Sequence, residues 1–161
     1  MNVSPATEVP AGSAPESEPE RYRSFQLRRA LQFHGTLWQR EVSAEVSSVA
    51  YGVLLVLRHA PGIGQRELGQ LAQLDKSTLA ELLKRLELLG LISTCRDEAD
   101  RRRKCVTLED AGASLLHELM PGALRVNELL AEGLDPAEAT QLDALLDKLL
   151  ASPAAGTDAG G

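Results

Sequence analysis

Residues 75–108 read DKSTLAELLKRLELLGLISTCRDEADRRRKCVTL, and the change of period inside this stretch decides the fold. Its first half repeats leucine at helical spacing, opens on Asp75 as the N-cap residue and closes on Gly90 as the C-terminal left-handed residue. Its second half contains two short β-prone runs, LISTCR and KCVTL, on either side of a charged segment. The stretch therefore predicts a helix followed at once by a two-stranded hairpin.

The predicted helix has one apolar face and one polar face. If the leucines at 79, 82, 83 and 86 face a core, a rotation of about 100° per residue turns the opposite side toward solvent. That side carries Ser77, Glu81 and Lys84, flanked by Thr78, Ala80 and Arg85, and we count Lys76 at the helix start among the DNA contacts as well. Hydroxyls at a helix start suit phosphate or base-edge hydrogen bonds, and cations near its end suit phosphates. An ordinary solvated helix has such a face as well, so the neighbouring elements must decide.

The segment before this helix completes a supersecondary unit. GQRELGQLAQL, from Gly64, predicts a short helix that a tight turn joins to the helix opened by Asp75. Two short helices with a hairpin directly after the second form a winged helix-turn-helix, whose second helix fits a major groove while the hairpin lies beside it. We therefore expect the polar face to bind double-stranded DNA. The rival interpretation is a winged-helix module that binds protein.

Two longer helices are predicted upstream. The first covers residues 20–46, and the second follows a cap at Ser47 or Ser48 and stops before Pro61. The body of the second, VAYGVLLVL, is almost entirely apolar and should be central. The fold class is therefore mainly α with a small β-hairpin (α+β).

Two more helices are predicted after the hairpin. One covers residues 110–131 and is interrupted or kinked at Pro121-Gly122. The last opens on Asp135 and Glu138, which have the spacing of a capping box. Its leucines form a single stripe at helical spacing: Leu142, Leu145, Leu146, Leu149 and Leu150.

Composition separates the ends of the chain from its middle. Residues 1–19 and 152–161 are rich in small residues, proline and acids, so we expect two disordered tails. Residues 20–151 should form one domain, because 43% hydrophobic residues over the chain suffice for a core without metals or disulfides. Within it we place a winged core at residues 47–108, flanked by helical segments at residues 20–46 and 110–151.

The charges are segregated along the chain, whose formal net charge is -6. The acidic residues concentrate in the N-terminal head and the last segment, whereas Arg101 to Lys104 form a basic run in the middle. Phosphate binding depends on local cations, so the acidic total does not exclude nucleic acid. Because no signal-peptide pattern and no bilayer-length apolar run occurs, we expect a cytoplasmic protein with no membrane partner.

The residues give no basis for an enzyme. The histidines at 34, 59 and 117 lack metal-ligand spacing, and no glycine-rich phosphate loop follows a strand. No nucleophile with a neighbouring base is recognisable either. We expect no catalytic residue, no metal and no cofactor.

The stretch from Gly62 to Gly112 resembles the DNA-binding core of the MarR family of bacterial transcriptional regulators. The matching positions are Asp75-Lys76-Ser77-Thr78-Leu79, then Leu86 to Ile92, then Asp100-Arg101-Arg102 with Val106, Leu108 and Gly112. The hairpin pattern is the more specific, because generic winged helices lack it. A looser resemblance extends over residues 22–150, since the family places its dimer interface in the first and last helices. The resemblance therefore implies that the segments 20–46 and 110–151 are the dimerisation segments.

The resemblance implies a symmetric homodimer, with two recognition helices about 34 Å apart on a pseudo-palindromic operator. It also implies that Arg102, with Arg101 second, enters the minor groove from the tip of the wing. Asp100 would pair with a wing arginine, and we count Arg103 among the DNA contacts. The function implied is transcriptional regulation, as a repressor released by a ligand.

The ligand implied by the resemblance is a small aromatic carboxylate or its acyl-thioester, bound between the dimerisation helices and the winged domain. The first helix offers Arg28, Arg29, His34 and Trp38 as effector-binding residues. His34 and Trp38 share a helix face, whereas the two arginines lie elsewhere on the helix.

A redox alternative rests on Cys95 and Cys105. If the hairpin tip is centred near Asp100, the two cysteines oppose each other across the strands. Their oxidation to a disulfide would then distort the wing. The peroxide-sensing branch of the family carries its cysteine on the first helix, which has none here.

Overall fold

The structure, a computed structural model, describes residues 22–96 and 104–151. The chain divides into two compact units after Phe33, inside the first helix. In chain order the described elements are α1 (Arg23–Glu41), α2 (Ser48–His59), β1 (Ile63–Gly64), α3 (Gln65–Leu71), α4 (Lys76–Leu88), β2 (Ile92–Arg96), β3 (Lys104–Leu108), α5 (Asp110–Leu130) and α6 (Pro136–Leu150). This order confirms the predicted fold class and the winged helix-turn-helix.

Helix α1 ends at Glu41, so the prediction of a helix reaching residue 46 was wrong. The hydroxyl oxygen of Ser43 accepts hydrogen bonds from the backbone N–H groups of Glu45 and Val46, at 3.1 and 3.0 Å. The indole N–H of Trp38 donates to the carbonyl of Val46 at 2.7 Å and draws the loop back onto the helix. Serine thus offers the backbone an alternative to the next helical turn.

Helix α2 forms the centre of the core, as its apolar body predicts. Ser47 caps it, because its hydroxyl oxygen accepts from the N–H of Ala50 at 3.1 Å. Val53, Leu54 and Leu57 have no exposed surface. They belong to a cluster that also contains leucines of α3, α4 and α5 and Val106 of β3. The core of the 34–161 unit is therefore built around one helix.

The sheet has three strands in the order β1-β3-β2, one more than predicted. The hairpin of β2 and β3 is confirmed, with Cys95 opposite Cys105. Strand β1 was missed: its two residues pair Ile63 with Val106 and Gly64 with Cys105. A run this short carries no alternation of its own, so only the tertiary pairing defines it.

Helix α5 is continuous through Pro121, so of the two predicted alternatives, an interruption or a kink, the interruption was wrong. Gly122 instead serves a close contact, since a Cβ atom at this position would lie 2.3 Å from the carbonyl oxygen of Glu41. The proline removes one backbone donor without ending the helix. The Pro-Gly pair therefore marks where α5 passes the end of α1.

Helix α6 begins with the predicted capping box. An oxygen of the Asp135 carboxylate accepts from the N–H groups of Ala137 and Glu138 at 2.8 and 2.9 Å. The Glu138 carboxylate in turn accepts from the Asp135 N–H at 2.9 Å. No residue of α6 is buried, although its leucines form the expected stripe. None of the helices that the structure describes is long and apolar enough to cross a bilayer.

Candidate nucleic-acid interface

Helix α4 presents the faces that its sequence predicts. Leu79, Leu83 and Leu86 are buried, and Leu82 is half-buried. Every predicted contact on this helix is exposed: Lys76, Ser77, Thr78, Glu81, Lys84 and Arg85. Since β2 begins four residues after α4 ends, the exposed face and the hairpin are contiguous along the chain.

The start of α4 is a closed set of hydrogen bonds around the predicted N-cap residue Asp75. Its carboxylate accepts from the N–H groups of Ser77 and Thr78 at 3.0 and 2.9 Å. It also accepts from the Ser77 hydroxyl at 2.6 Å and the Thr78 hydroxyl at 2.5 Å. These hydrogen bonds, the Ser77 hydroxyl first, hold the pKa of the Asp75 carboxyl far below its usual range. The Asp75 carboxylate is therefore ionised in the folded protein at neutral pH.

This arrangement decides what Ser77 and Thr78 can offer a duplex. Their hydroxyl protons and N–H groups are engaged by Asp75, but each hydroxyl oxygen keeps a lone pair for accepting. A phosphate only accepts, so it would have to break a bond to Asp75. The exocyclic amino groups of adenine and cytosine donate and fit the oxygens as they stand. Of the two roles that the sequence allows, base-edge contact suits this geometry better.

Arg85 is exposed, and its predicted contact with DNA stays a prediction. Its Nη2 atom donates to the carbonyl oxygen of Glu45, in the loop between α1 and α2, at 3.2 Å. Its neighbour Lys84 is exposed, and within the described residues its ammonium group donates no hydrogen bond of this kind. Lys84 is therefore the better placed of the two cations for a phosphate, and Arg85 joins α4 to the loop.

The described residues include both strands of the hairpin, and its tip, residues 97–103, lies outside them. Arg96 and Lys104 form its last described pair, and both are exposed. Asp100, Arg101, Arg102 and Arg103 lie outside the described residues, so their roles stay predictions. At the base of the hairpin, the carboxylate of Glu87 on α4 accepts from the N–H and the hydroxyl of Thr94, at 3.2 and 2.6 Å. Sequence reasoning gave Glu87 no role, because only the tertiary fold brings it to Thr94.

A cleft of about 570 Å³ lies beside the loop that Arg85 contacts. Its lining residues come from α1, the following loop, the start of α2 and α4: Gly35, Trp38, Gln39, Ser43, Ala44, Glu45, Ser47, Ser48 and Arg85. Two of the lining side chains, Trp38 and Arg85, thus offer an aromatic surface and a cation. The cleft lies wholly within the 34–161 unit.

The four predicted effector residues are placed unequally. Trp38 lines the cleft but is buried, and its ring lies 5.2 Å from the ring of Tyr51. His34 does not line the cleft, although its ring lies 6.0 Å from that of Trp38. Arg28 and Arg29 belong to the other unit, where the guanidinium of Arg29 lies 6.0 Å from the centre of the Phe25 ring.

The two cysteines oppose each other as predicted, yet the hydrogen-bond pattern between β2 and β3 is unfavourable for a disulfide. The carbonyl of Val106 accepts from Gly62, on the β1 side, so its neighbour Cys105 turns its N–H and carbonyl toward Cys95. In such a hydrogen-bonded pair the Cβ atoms lie about 5.5 Å apart, whereas a disulfide needs about 3.5–4.5 Å. Cys95 is exposed and Cys105 is buried. The geometry does not favour the redox alternative.

The sequence and the fold were compared with known proteins. A family model described as MarR family matches residues 45–103. The HTH-type transcriptional repressor NicR of Pseudomonas putida is 31% identical over 128 residues, which cover 78% of this chain and 80% of NicR.

Two solved structures resemble the fold over most of its length. PcaV, a transcriptional regulator from Streptomyces coelicolor solved with its natural ligand, has a TM-score of 0.78 and 33% identity, covering 81% of this chain and 92% of PcaV. Bordetella bronchiseptica BpsR, whose DNA binding is regulated by 6-hydroxynicotinic acid, has a TM-score of 0.79 and 28% identity, covering 83% of this chain and 96% of BpsR.

Proposed function

Because this chain belongs to the MarR family of DNA-binding transcriptional regulators, we propose that it represses transcription by binding a pseudo-palindromic operator as a homodimer. Helix α4 enters the major groove, and the arginines predicted at the wing tip reach the adjacent minor groove. The exposed polar face of α4 directly before the β2–β3 hairpin is the observation that carries this proposal.

The proposed contacts divide between base reading and phosphate binding. Ser77 and Thr78 accept from base amino groups, because Asp75 already holds their protons. Lys76 and Lys84 contact phosphates, as does the basic run of the wing. Glu81 lies exposed between these groups, where a carboxylate can accept from the amino group of cytosine and otherwise repels phosphate.

A second copy of the chain covers the leucine stripe of α6. The five leucines are 39–59% exposed and recur on one face of the helix. Residues 22–33, taken alone, likewise expose Phe25, Leu27, Leu31 and Phe33. Apolar surfaces of this kind mark protein interfaces, and a two-fold dimer is the commonest closed assembly.

Selection from a random duplex library tests the operator proposal. The selected sequences should contain an inverted repeat whose half-sites are centred about 10 base pairs apart, since that places both α4 helices on one face of the duplex. Single half-sites without a partner, or no enrichment at all, would contradict binding as a dimer on one face.

The proposed effector is a small aromatic carboxylate or its acyl-thioester, bound in the cleft beside Arg85. A carboxylate accepts well from a guanidinium fork, and Arg85 lies on the helix proposed to read DNA. A ligand that accepts hydrogen bonds from Arg85 would replace the Glu45 carbonyl as its acceptor. The contacts of α4 would then change, and with them the affinity of the protein for DNA. The acid that regulates BpsR belongs to the same chemical class.

Thermal shift and duplex affinity test the effector proposal with 6-hydroxynicotinic acid, and its uncharged amide is the control ligand. The acid should raise Tm and weaken duplex binding, while the amide does neither. Arg85→Gln should abolish both responses, and Arg58→Gln, at an exposed arginine outside the cleft, should keep them. An unchanged response in Arg85→Gln would remove Arg85 from the site.

A further inference from the structure

Glu87 joins the recognition helix to the wing through a single oxygen. Its Oε1 atom accepts from the backbone N–H of Thr94 at 3.2 Å and from the Thr94 hydroxyl at 2.6 Å. Glu87 lies in the last turn of α4, and Thr94 is the middle residue of β2. Glu87 and Thr94 are seven residues apart in the sequence, so these hydrogen bonds connect the helix to the strand across the turn at Gly90.

The strand order explains why the Thr94 N–H is available to α4. Strand β2 lies at the edge of the sheet, with β3 on one side only. Val106, the partner of Thr94, directs its carbonyl to Gly62 on the β1 side. Thr94 and Val106 are therefore a pair without mutual hydrogen bonds, and the Thr94 N–H points outward from the sheet. Glu87 occupies the place that a fourth strand would otherwise take.

A carboxylate at this position needs an explanation. An acid near the C-terminus of a helix opposes the helix dipole. On a surface proposed to face DNA it also repels phosphate. A charged acceptor, however, forms stronger hydrogen bonds than a neutral one, and here it receives two from one residue. Holding Thr94 offsets these two unfavourable effects.

We infer that Glu87 is a positioning residue, which fixes the direction of the wing relative to α4 by holding β2 at Thr94. The inference rests on the proposed function, because the direction matters only if both elements reach adjacent grooves of one duplex. Thr94 lies two residues before Arg96, the last described residue of β2, so the hydrogen bonds to Glu87 hold the strand that leads to the predicted wing arginines.

Operator affinity of three variants tests the inference. Glu87→Ala should weaken binding about tenfold, since two hydrogen bonds to a charged acceptor are lost. Glu87→Gln should bind only about two- to threefold more weakly than the wild type, because its amide oxygen still accepts from Thr94, although less strongly than a carboxylate. Glu118→Ala removes the same charge from an exposed site on α5 and should leave affinity unchanged.

A double substitution separates positioning from a general structural effect. If Glu87 acts through the wing, Glu87→Ala should lose most of its effect in an Arg102→Ala background. The Thr94 amide should also exchange its proton faster in Glu87→Ala than in Glu87→Gln, with little change in Tm. Should Glu87→Ala fold poorly, Thr94→Val, which removes only the hydroxyl, should still weaken binding by a smaller factor.

The outcomes distinguish the inference from the proposed function. If the wild-type protein binds no duplex, both fail. If the wild type binds while Glu87→Ala or Thr94→Val binds equally well, or the effect of Glu87→Ala is unchanged without Arg102, the inference alone fails. Loss of binding in Glu87→Gln to the same extent as in Glu87→Ala would also overturn it, because the amide retains the acceptor.

Discussion

Helices α4 and α6 have the same leucine pattern and opposite burial. In α4 the leucines at 79, 83 and 86 are 2, 4 and 3% exposed and belong to the buried cluster that also contains residues of α2 and the sheet. In α6 the five leucines are 39–59% exposed, although they also recur on one face. Amphipathic spacing therefore predicts that a helix needs a partner surface, but not whether its own chain supplies one.

The difference assigns separate tasks to the two helices. The buried cluster around α2, here called the winged unit, lies within one chain, so the geometry of α4 and the hairpin is set inside each copy. The leucines of α6 are exposed, so in the proposed dimer the spacing between two recognition helices depends on how a second copy covers α6. Stability of the winged unit and assembly of the dimer should consequently respond to different substitutions.

The largest effect is expected where the α6 stripe is made charged. Leu145→Asp combined with Leu149→Asp should give monomers, because two carboxylates would be buried in the interface. Operator affinity should fall by about 10²- to 10⁴-fold, since the two half-sites would no longer be bound by one molecule. Light scattering after gel filtration measures the oligomeric state, and titration with duplex measures the operator affinity. Thr140→Asp with Ala144→Asp, on the opposite face, should remain dimeric; monomers there as well would break the comparison.

Removing one leucine from each helix sharpens the comparison. Leu83→Ala should lower the free energy of unfolding by about 2–5 kcal/mol at any protein concentration, because it opens a cavity inside one chain. Leu149→Ala should lower it by an amount that depends on protein concentration, since its partner lies in another chain. Denaturant unfolding at two concentrations compares them. A concentration-independent loss in Leu149→Ala would place its partner within the same chain.

We predict that the wing contributes to DNA binding and not to dimer assembly. Arg102→Ala should weaken operator binding by about 1–3 kcal/mol while the dimer stays intact. Fluorescence anisotropy with labelled duplex measures the change, and Arg58→Ala serves as an exposed control outside the interface. Unchanged affinity in Arg102→Ala would remove the wing from the mechanism.

The smallest effect is expected at the cap of α4. Asp75→Ala should lower Tm by a few degrees at pH 7, because it removes the acceptor of four hydrogen bonds. The pKa of Asp75 is lowered in the folded state, so this contribution is present above its unfolded pKa and is lost as pH falls through the folded pKa. The Tm difference from wild type should be constant from pH 7 to about pH 5 and narrow in stronger acid. A difference that widens in acid would contradict the assigned role.

Local signals made α4 and α6 predictable from sequence. The N-caps at Ser47, Asp75 and Asp135 and the left-handed Gly90 act on neighbouring residues, and each was confirmed. The register of β2 and β3 also followed from a short connection between two β-prone runs. Interactions over a few residues leave a readable pattern in the sequence.

Tertiary contacts explain what the sequence did not reveal. Strand β1 exists only because β3 pairs with it, and α5 continues through Pro121 where Gly122 meets the end of α1. Arg85, which was predicted as a DNA contact, also donates to the carbonyl oxygen of a residue forty positions away, and no local pattern indicates that hydrogen bond. Glu87 likewise has no sequence signal for its bond to Thr94. Which polar group meets which partner depends on packing that periodicity does not encode.

The salt dependence of operator affinity tests the central claim most directly. If α4 and the wing bind a duplex through phosphates as well as bases, a plot of log affinity against log salt should fall with a slope of several units, about 0.9 for each phosphate neutralised. Arg102→Ala or Lys84→Ala should each reduce that slope by about one if the residue contacts a phosphate. Duplex affinity that is absent, or that does not change with salt, would contradict the account and favour a winged-helix module that binds protein.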